Sequence, residues 1–385
     1  MNNTFERHFV AKLEERLAEK QPRIQVLIGP RQVGKTTGVR QMLARSPLPG
    51  HYANADDLLS VDRTWLLGHW QKAMLLGTPS LLVIDEIQKV PNWSETIKAL
   101  WDKAGHGVRL VLLGSSSLQV QKGLTESLAG RFELIRIYHW TLPELQRAFG
   151  YTLERYLLYG GYPGAVLYED DFDRWYAYLK DSIVESVIGR DILLNHRVAN
   201  PALFRQAFEI LCRYPAQEVS YTKLLGQLQD RGNTDLVKYY LELYSGAFLI
   251  HPLHKFSTRS HLTRSSSPKI LMACPALYTM HEGPELLLNP EKQGRLFELA
   301  VGAHLLQLPG ELYYWRDGNQ EVDFVYRYRN RICAIEVKSG RRKTSQGLDA
   351  FMKQVPSAFP IMITDDTLER FLDEPAAYLK QLTAL

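Results

Sequence analysis

The sequence predicts an α/β fold in which a parallel sheet carries helices on both faces. Short apolar runs at residues 24–28, 81–84 and 109–113 have the length and composition of buried strands. Helix-like stretches separate these runs, and Pro22 ends an amphipathic helix that begins near Phe5. Strands that alternate with helices along a chain are typical of a parallel sheet between helical layers. With 385 residues the chain is long enough for two or three domains.

The bulk composition places few limits on function. The chain carries 46 Lys and Arg against 42 Asp and Glu, a formal net charge of +4, which permits nucleic-acid binding without requiring it. Its 3 cysteines lie far apart with no CxxC pair, so neither a disulfide framework nor a zinc knuckle is indicated. The N-terminus is charged and amphipathic, and no apolar run approaches bilayer length. We therefore expect a cytoplasmic protein with no membrane partner.

A phosphate-binding loop follows the first predicted strand. The segment GPRQVGKTT fits the pattern G-x-x-x-x-G-K-T, whose glycines let the backbone wrap an anion. Lys35 would reach the β and γ phosphates, and Thr36 would offer its hydroxyl to magnesium. A helix that begins at the lysine adds free N–H groups and the positive end of its dipole. ATP and Mg²⁺ are the predicted cofactors, and the predicted binding residues are Gly29, Pro30, Arg31, Gln32, Val33, Gly34, Lys35, Thr36 and Thr37.

An acidic pair ends a second predicted strand. Asp85 follows four apolar residues, which places it at the sheet edge where open α/β folds hold their ligands. With Thr36 it forms the predicted magnesium-binding pair, while Glu86 would polarise the attacking water. A solvated acidic strand end is the alternative, and the presence of the phosphate-binding loop favours the magnesium site. The predicted sheet is therefore that of a P-loop NTPase, with Lys35, Asp85 and Glu86 as catalytic residues.

Two further positions are candidates for the same site. The strand at residues 109–113 ends in GSSSL, which puts Ser115 and Ser116 where a hydroxyl could orient water or sense the γ phosphate. A simple serine-rich turn is the alternative. Arg131, in SLAGRFEL, could neutralise transition-state charge in its own subunit's site or in that of a neighbour. An ordinary surface arginine is the other interpretation.

The C-terminal part holds a second set of charged residues with catalytic spacing. Asp323 lies on one predicted strand, and Glu336 and Lys338 lie on the next, the D…E-x-K spacing of PD-(D/E)XK nucleases. Strand alternation places Glu336 and Lys338 on one face, where carboxylates could hold magnesium while the lysine activates water. Glu298, on a predicted helix, is a further candidate. Charged residues on amphipathic strands, or a nuclease fold kept only for binding, are the alternatives.

The predicted partner is DNA, branched or duplex. Residues 233–243 have the polar start and apolar spacing of a recognition helix, whose exposed side would carry Lys238 and Tyr239 or Tyr240. The chain that follows is a basic loop in which phosphate contacts would dominate over base readout. The candidate residues of that loop are His254, Lys255, Arg259, His261, Arg264 and Lys269. A winged helix that binds protein is the alternative, since charge runs usually form solvated faces.

The order of the motifs GPRQVGKTT, LLVIDEIQKV, LLGSSSL, SLAGRFEL, TLPEL and GGYPGAV resembles that of the AAA-type ATPases of the AAA_14 family. These carry a C-terminal domain of unknown function called DUF4143, and the resemblance covers nearly the whole chain. It implies Lys35 and Thr36 for nucleotide and magnesium, Asp85 and Glu86 for magnesium and water, and Arg131 as an arginine finger. It also implies a winged helix after the ATPase core and a nuclease-like fold at the C-terminus.

The chain departs from the family pattern at one turn. Where relatives read Lys-x-x-x-x-Asp-x-Gly-Leu, this chain has KILMACPALY from Lys269. The aspartate is replaced by Cys274 or Pro275, and the glycine is replaced by Ala276. The role of that turn in relatives therefore does not carry over to this chain.

We predict a division of the chain into four regions. The segment GGYPGAV interrupts a helical, aromatic stretch, and three short helix signals followed by a β-ribbon signal indicate a winged helix-turn-helix. A later helix and three strand-like runs indicate a second α/β unit. The regions are a P-loop ATPase core at residues 1–150, a helical lid or connector at 151–200, a winged helix-turn-helix at 201–270, and a small α/β, PD-(D/E)XK nuclease-like domain at 271–385.

The sequence favours an ATP-hydrolysing protein that binds and remodels or translocates DNA. We expect a homo-oligomer, because sites shared at subunit boundaries would use Arg131. One alternative is a metal-dependent DNA nuclease whose ATPase only regulates access. Another is a signalling switch that uses nucleotide to gate a protein partner.

Overall fold

The computed structural model describes residues 5–57, 61–104, 107–115, 120, 123–124, 127–228, 233–257, 266–340 and 345–383. It divides into two compact units, Met1–Tyr138 and His139–Leu385. Within the described residues, no helix is both long and apolar enough to cross a membrane.

The first unit is built on a parallel sheet. In the described chain this sheet has the spatial order β2–β3–β4–β1–β5, and its four strand pairings are all parallel. Strands β1 and β3 are buried along their whole length, as expected of strands covered on both faces. The predicted parallel α/β sheet is therefore confirmed. The strands are β1 (Ile24–Ile28), β2 (Gly50–Asn54), β3 (Ser80–Asp85), β4 (Val108–Gly114) and β5 (Phe132–Arg136).

Helices flank this sheet and connect its strands. The first of them buries Phe9, Leu13 and Leu17, the apolar face that the sequence predicts. A short 3₁₀ turn at Ile87–Lys89 follows β3. The helices are α1 (Phe9–Ala18), α2 (Lys35–Arg45), α3 (Arg63–Leu75) and α4 (Trp93–Ala104).

The second unit begins earlier than the predicted boundary at residue 150. Residues 139–149 group with the second unit, because helix α5 (Leu142–Phe149) packs against helix α14 (Asp365–Asp373). The Leu142 N–H also donates to His304 Nε2 at 3.4 Å. Two π-helical stretches, Tyr178–Val184 and Val187–Leu193, lie after α7. The α-helices of the described part are α5 (Leu142–Phe149), α6 (Leu153–Tyr159), α7 (Phe172–Ala177), α8 (Pro201–Cys212), α9 (Tyr221–Gln227), α10 (Thr234–Gly246), α11 (Pro275–Glu282), α12 (Pro290–Leu305), α13 (Gln346–Gln354), α14 (Asp365–Asp373) and α15 (Pro375–Thr383).

A mixed sheet runs through the second unit. Its strands in the described chain have the order β12–β11–β10–β9–β7–β8–β6, and β7 pairs in parallel with β9. The regions predicted as winged helix and as nuclease-like domain therefore share one sheet, and the predicted boundary after residue 270 falls inside β8. That subdivision stays a prediction. The strands are β6 (Gln217–Glu218), β7 (Ile250–Lys255), β8 (Lys269–Met272), β9 (Glu311–Asp317), β10 (Gln320–Tyr328), β11 (Arg331–Lys338) and β12 (Phe359–Thr364).

The turn that departs from the family pattern begins a helix. Cys274 occupies the N-cap position of α11, and Pro275 lies in its first turn. The Gly161 N–H donates to Cys274 Sγ at 3.1 Å. Burial raises the pKa of the Cys274 thiol to about 12, so the group stays neutral. The N-cap side chain of α11 is therefore an uncharged thiol.

A buried histidine joins α12 to the first residue of α5. His304 is 1% exposed, and its Nδ1 must donate to the Ala300 carbonyl at 2.8 Å because that oxygen can only accept. Nε2 then accepts from the Leu142 N–H, which requires the neutral ring. Burial lowers the pKa of His304 from 6.5 to about 4.

This histidine predicts acid sensitivity of the second unit. As pH falls through the ordinary pKa of histidine, the unfolded chain takes up a proton on this imidazole, whereas the folded chain does not. The free energy of unfolding therefore decreases as pH is lowered through that window. His304→Gln removes the titration. We expect the parent chain to lose about 2 kcal/mol more than the variant between pH 7 and pH 5. Urea unfolding at both pH values measures this difference, and equal losses would contradict the assignment.

Candidate nucleotide-binding site

The loop between β1 and α2 has the backbone of an anion-binding turn. Gln32 and Gly34 adopt left-handed conformations, with φ of 59° and 86°. Successive residues of opposite hand turn their N–H groups toward one concave side. Gly29 cannot carry a side chain, because a Cβ there would lie 2.3 Å from the Ile137 carbonyl oxygen. The loop thus has the shape that the motif predicts.

Lys35 opens α2 and reaches back into this loop. Its side chain is buried, and Nζ donates to the carbonyl oxygens of Gly29 at 2.8 Å and Pro30 at 2.6 Å. These partners are dipoles rather than charges. The positive charge of Lys35 is therefore held at the phosphate loop without being cancelled by the two carbonyl groups.

Asp85 and Thr36 meet across the carboxyl edge of the sheet. Thr36 Oγ1 donates to Asp85 Oδ2 at 2.6 Å, and the Glu86 N–H donates to Asp85 Oδ1 at 2.9 Å. Asp85 is 4% exposed. A hydroxyl and a carboxylate held this closely offer two oxygen ligands on one side of the loop, as magnesium requires. The residues fit the Mg²⁺ that a P-loop nucleotide brings.

Tyr52 is a member of this site that sequence reasoning missed. Its hydroxyl donates to Asp85 Oδ2 at 2.9 Å, and the Arg40 guanidinium lies 4.4 Å from the centre of its ring. Burial and the charge of Asp85 raise the pKa of Tyr52 to about 12, so the hydroxyl remains a donor. The position of Tyr52 depends on the parallel register in which Asn54 pairs with Asp85, which no local motif reveals.

Glu86 is held by two polar side chains. Its Oε2 accepts from Gln88 Nε2 at 2.5 Å and from Ser115 Oγ at 3.1 Å. Glu86 itself has φ of 51°, a left-handed conformation that is uncommon for a non-glycine residue and clusters at functional sites. The structure thus places Ser115 at the predicted catalytic glutamate, whereas Ser116 lies outside the described residues. Gln88 was not predicted, although it belongs to the quoted LLVIDEIQKV motif.

Arg7 supports the loop from the N-terminal segment. Its guanidinium is 2% exposed, and Nη1 donates to the carbonyl oxygens of Val33 and Tyr138, each at 3.0 Å. A buried cation that binds a carbonyl of the phosphate loop fixes the loop from behind. No sequence motif marked Arg7, because its partner is a backbone atom far along the chain.

Arg131 lies at the opposite edge of the sheet from the phosphate loop. It precedes β5, whose first residue pairs with Ile24, whereas the loop follows Ile28 at the other end of β1. Four strand residues separate the two ends by about 13 Å. The guanidinium forms two hydrogen bonds to Asp102, at 2.8 and 2.9 Å. The prediction that Arg131 serves its own subunit's site therefore does not fit this geometry.

The C-terminal candidates do come together. Asp323 Oδ2 accepts from the Val337 N–H at 2.9 Å, and Lys338 Nζ donates to Glu336 Oε1 at 2.5 Å. Glu298 and Asp323 meet through a shared contact with Lys269. Burial and the charge of Asp323 raise the pKa of Glu336 to about 7. Whether this cluster is a nuclease site stays a prediction at this point.

The predicted DNA surface is present only in part. On α10, Lys238 is exposed and Tyr239 half-buried, whereas Tyr240 is 2% exposed and so belongs to the core. Lys269 is fully buried against carboxylates, so the prediction that it contacts phosphate is wrong. His254 is exposed and Lys255 half-buried. The remaining candidates, Arg259, His261 and Arg264, lie outside the described residues.

These features define the class of the first unit. A lysine at the start of the helix after β1, with an acidic pair at the end of β3, is the arrangement of a P-loop NTPase, and it implies nucleotide binding. A Walker-type ATPase of Pyrococcus abyssi superposes with a TM-score of 0.51 over 72% of this chain and 96% of that one, at 16% identity. This likeness shows the fold.

Family models extend the comparison along the chain. Residues 21–146 match the model AAA_14, an AAA domain, and residues 293–372 match DUF4143, a domain of unknown function. Residues 150–285 match DUF8612, a further domain of unknown function. The AAA_14 and DUF4143 matches support the AAA-type family that the motifs resemble.

Relatives that match most of this chain accompany the family models. An uncharacterized protein of Mycobacterium tuberculosis is 28% identical over 320 residues, which cover 81% of this chain and 69% of the relative. An uncharacterized protein of Methanocaldococcus jannaschii is 25% identical over 329 residues, which cover 79% and 72%. Both alignments therefore extend beyond the ATPase core.

The hydrogen bonds to Glu86 predict that their removal lowers the rate of ATP hydrolysis without weakening nucleotide binding. Ser115→Ala or Gln88→Ala removes a hydrogen bond that holds the Glu86 carboxylate. We expect a kcat roughly tenfold lower, because a hydrogen bond to a charged group contributes about 1.5 kcal/mol. Nucleotide affinity should remain unchanged, since these described contacts end on Glu86.

Steady-state ATP hydrolysis and binding of a fluorescent nucleotide measure the two effects separately. Ser94→Ala is the matched control, since Ser94 is a buried serine of the same unit whose hydroxyl donates to Glu95 at 3.2 Å. Turnover by Ser115→Ala and Gln88→Ala at the rate of Ser94→Ala would show that these contacts do not position Glu86 for catalysis.

Proposed function

We propose that this chain hydrolyses ATP with Mg²⁺ and uses the hydrolysis to bind and remodel or translocate DNA as a homo-oligomer. The hydrogen bond of 2.6 Å between Thr36 Oγ1 and Asp85 Oδ2 carries the ATPase part of the proposal. It brings together the two residues that the motifs assign to one metal, although they are far apart in sequence. A phosphate loop alone would support nucleotide binding but not a complete hydrolytic site.

The residues of the site divide the chemistry among them. Thr36 and Asp85 would hold the metal, which supplies charge neutralisation at the phosphate oxygens. Lys35 presents its ammonium within the loop, and the N-terminus of α2 adds N–H groups for the same oxygens. Glu86 orients water and accepts its proton, while Gln88 and Ser115 fix the direction of the carboxylate.

DNA binding is supported by cations on the helical part of the second unit. Lys238 on α10 and Lys223 on α9 are both exposed, and Lys238 lies 5.5 Å from the ring centre of Tyr221 at the start of α9. Cations on neighbouring helices suit contacts to successive phosphates. The order α8, α9, α10 and β7 agrees with a winged helix, whose recognition helix would be α10.

Assembly is supported by the position of Arg131. At the amino edge of the sheet it cannot serve its own site, but its exposed pair with Asp102 leaves it at a surface where a neighbouring subunit could dock. Exposed ion pairs are weak, so exchanging Asp102 for a phosphate of the neighbour's nucleotide costs little. Shared sites of this kind make hydrolysis depend on assembly.

The proposal predicts ATPase activity that responds to DNA. We expect duplex or four-way DNA to raise kcat several-fold, and Lys35→Ala to abolish nucleotide binding. Glu86→Gln should retain binding while it blocks turnover, because the amide orients water but cannot accept its proton.

Hydrolysis measured with single-stranded, duplex and four-way DNA at several protein concentrations tests this prediction. Lys223→Glu with Lys238→Glu should remove the DNA response and leave basal turnover intact. Hydrolysis indifferent to every DNA at all concentrations would reject the DNA part. Nucleotide-dependent capture of a protein, without retardation of DNA, would select the signalling switch instead.

A mixing experiment tests the role of Arg131. Lys35→Ala chains keep the arginine and Arg131→Ala chains keep an intact nucleotide site, so mixed assemblies restore some complete sites if the arginine acts in a neighbour. We expect each variant to be inactive alone and the mixture to recover a fraction of parental turnover. Lys35→Ala mixed with Glu86→Gln is the control, because both defects lie in the same site. Full activity of Arg131→Ala alone would remove the arginine from the mechanism.

A further inference from the structure

A buried lysine lies inside the C-terminal carboxylate cluster. Lys269, on β8, has no exposed surface, and its Nζ forms an ion pair with Glu298 Oε1. The same Nζ lies 3.0 Å from Glu321 Oε1 and 3.3 Å from Asp323 Oδ1. Three carboxylates on α12 and β10 therefore converge on one ammonium group.

The D…E-x-K pattern of this region implies a divalent cation at these carboxylates. Magnesium in such sites takes six ligands at about 2.0 to 2.1 Å from carboxylates, water and substrate. The ammonium stands between Glu298 and Asp323, two of the residues that would have to supply those ligands. A metal ion and a lysine cannot share that position, because their charges repel each other in a buried site.

The oxygen atoms of Glu298 and Asp323 are already committed. Glu298 Oε2 lies 3.3 Å from Arg295 Nη1, and Asp323 Oδ2 accepts from the Val337 N–H. Glu336 Oε1 is bound by Lys338, while its Oε2 accepts no hydrogen bond from the described residues. Glu298 Oε1 also accepts no hydrogen bond from the described residues, but the Lys269 ammonium already occupies the position beside it. These two oxygens are too few for a divalent cation. Within the described chain, no group of three or more His, Cys, Asp or Glu side chains is placed to hold a metal ion.

Lys269 cannot move aside as a surface lysine could. Its backbone lies in β8, which is between β7 and β6 in the sheet, and its side chain is fully buried. Burial lowers the pKa of Lys269, but Glu298, Asp323 and Glu321 outweigh burial and hold it above the ordinary value. Expelling the charged group would take the Lys269 counterion from Asp323 and leave Glu298 with Arg295 alone, which is destabilising in a buried site.

We propose that the Lys269 ammonium replaces the divalent cation of this cluster, so that the C-terminal region takes no metal and does not cut phosphodiester bonds. A cation that belongs to the chain itself then neutralises part of the carboxylate charge of this cluster. This inference goes beyond the proposed function, since it concerns the second unit alone.

Counting bound Mn²⁺ in the full chain without nucleotide tests the proposal. The Asp85→Asn variant serves as the parent chain, because this substitution removes the predicted metal ligand Asp85 from the nucleotide site. Electron paramagnetic resonance should detect no bound ion in this parent. Adding Lys269→Met, which fills the same volume without charge, should create one Mn²⁺ site per chain. A variant that unfolds without metal and regains its melting transition with Mn²⁺ would give the same support.

The matched control is Lys338→Met in the same parent, because Lys338 contacts Glu336 rather than Glu298 or Asp323. We expect this control variant to bind no Mn²⁺, like its parent. Three results would overturn the proposal: Mn²⁺ bound by the parent and lost on Asp323→Asn, a folded Lys269→Met chain that binds no Mn²⁺, or metal-dependent DNA cleavage by the unmodified chain that Asp323→Ala abolishes. The parent measurement decides even if Lys269→Met does not fold. Failure of the ATPase would leave all of these results unchanged.

Discussion

The nucleotide site depends on one contact at the carboxyl edge of the sheet, the hydrogen bond from Thr36 at the start of α2 to Asp85 at the end of β3. Thr36 follows β1 and Asp85 ends β3, with β4 between those two strands in the sheet. Because all these strands run in the same direction, their carboxyl ends share an edge and the two side chains can meet. The buried apolar runs that form the sheet therefore also set the geometry of the site, and a shift of register by one residue would turn Asp85 away.

The sequence predicts the parts of this site that lie in continuous motifs. The phosphate loop, the acidic pair and Ser115 are read from short segments, since each needs only its flanking strand and helix. Gln88 also lies in such a motif but was not assigned a role, whereas Tyr52 and Arg7 could not be assigned in this way. Tyr52 reaches Asp85 through strand pairing, and Arg7 binds a backbone carbonyl, so their roles depend on tertiary contacts that no spacing encodes.

The second unit shows a similar division between local and tertiary information. The helix predicted at residues 233–243 coincides with α10. Asp323 lies on β10, and Glu336 and Lys338 lie on β11, the strands on which the sequence pattern predicts them. How these elements combine into domains was harder to predict from the sequence, because the parallel pairing of β7 with β9 joins two predicted regions in one sheet. That pair joins segments more than fifty residues apart, through His254 and Tyr313, which local pattern cannot detect. Lys269 was assigned to a basic loop for the same reason.

Lys35 and Lys269, both buried, show why charge environment decides function more than burial does. Lys35 donates hydrogen bonds to two carbonyl oxygens of the phosphate loop, which hold its ammonium group inside that loop. Lys269 contacts carboxylates, which cancel its charge within the core. The same residue type, equally enclosed, is thus prepared for an anionic ligand in the first unit and serves as an internal counterion in the second. An ATP-dependent activity built on the first unit therefore needs no metal chemistry from the second.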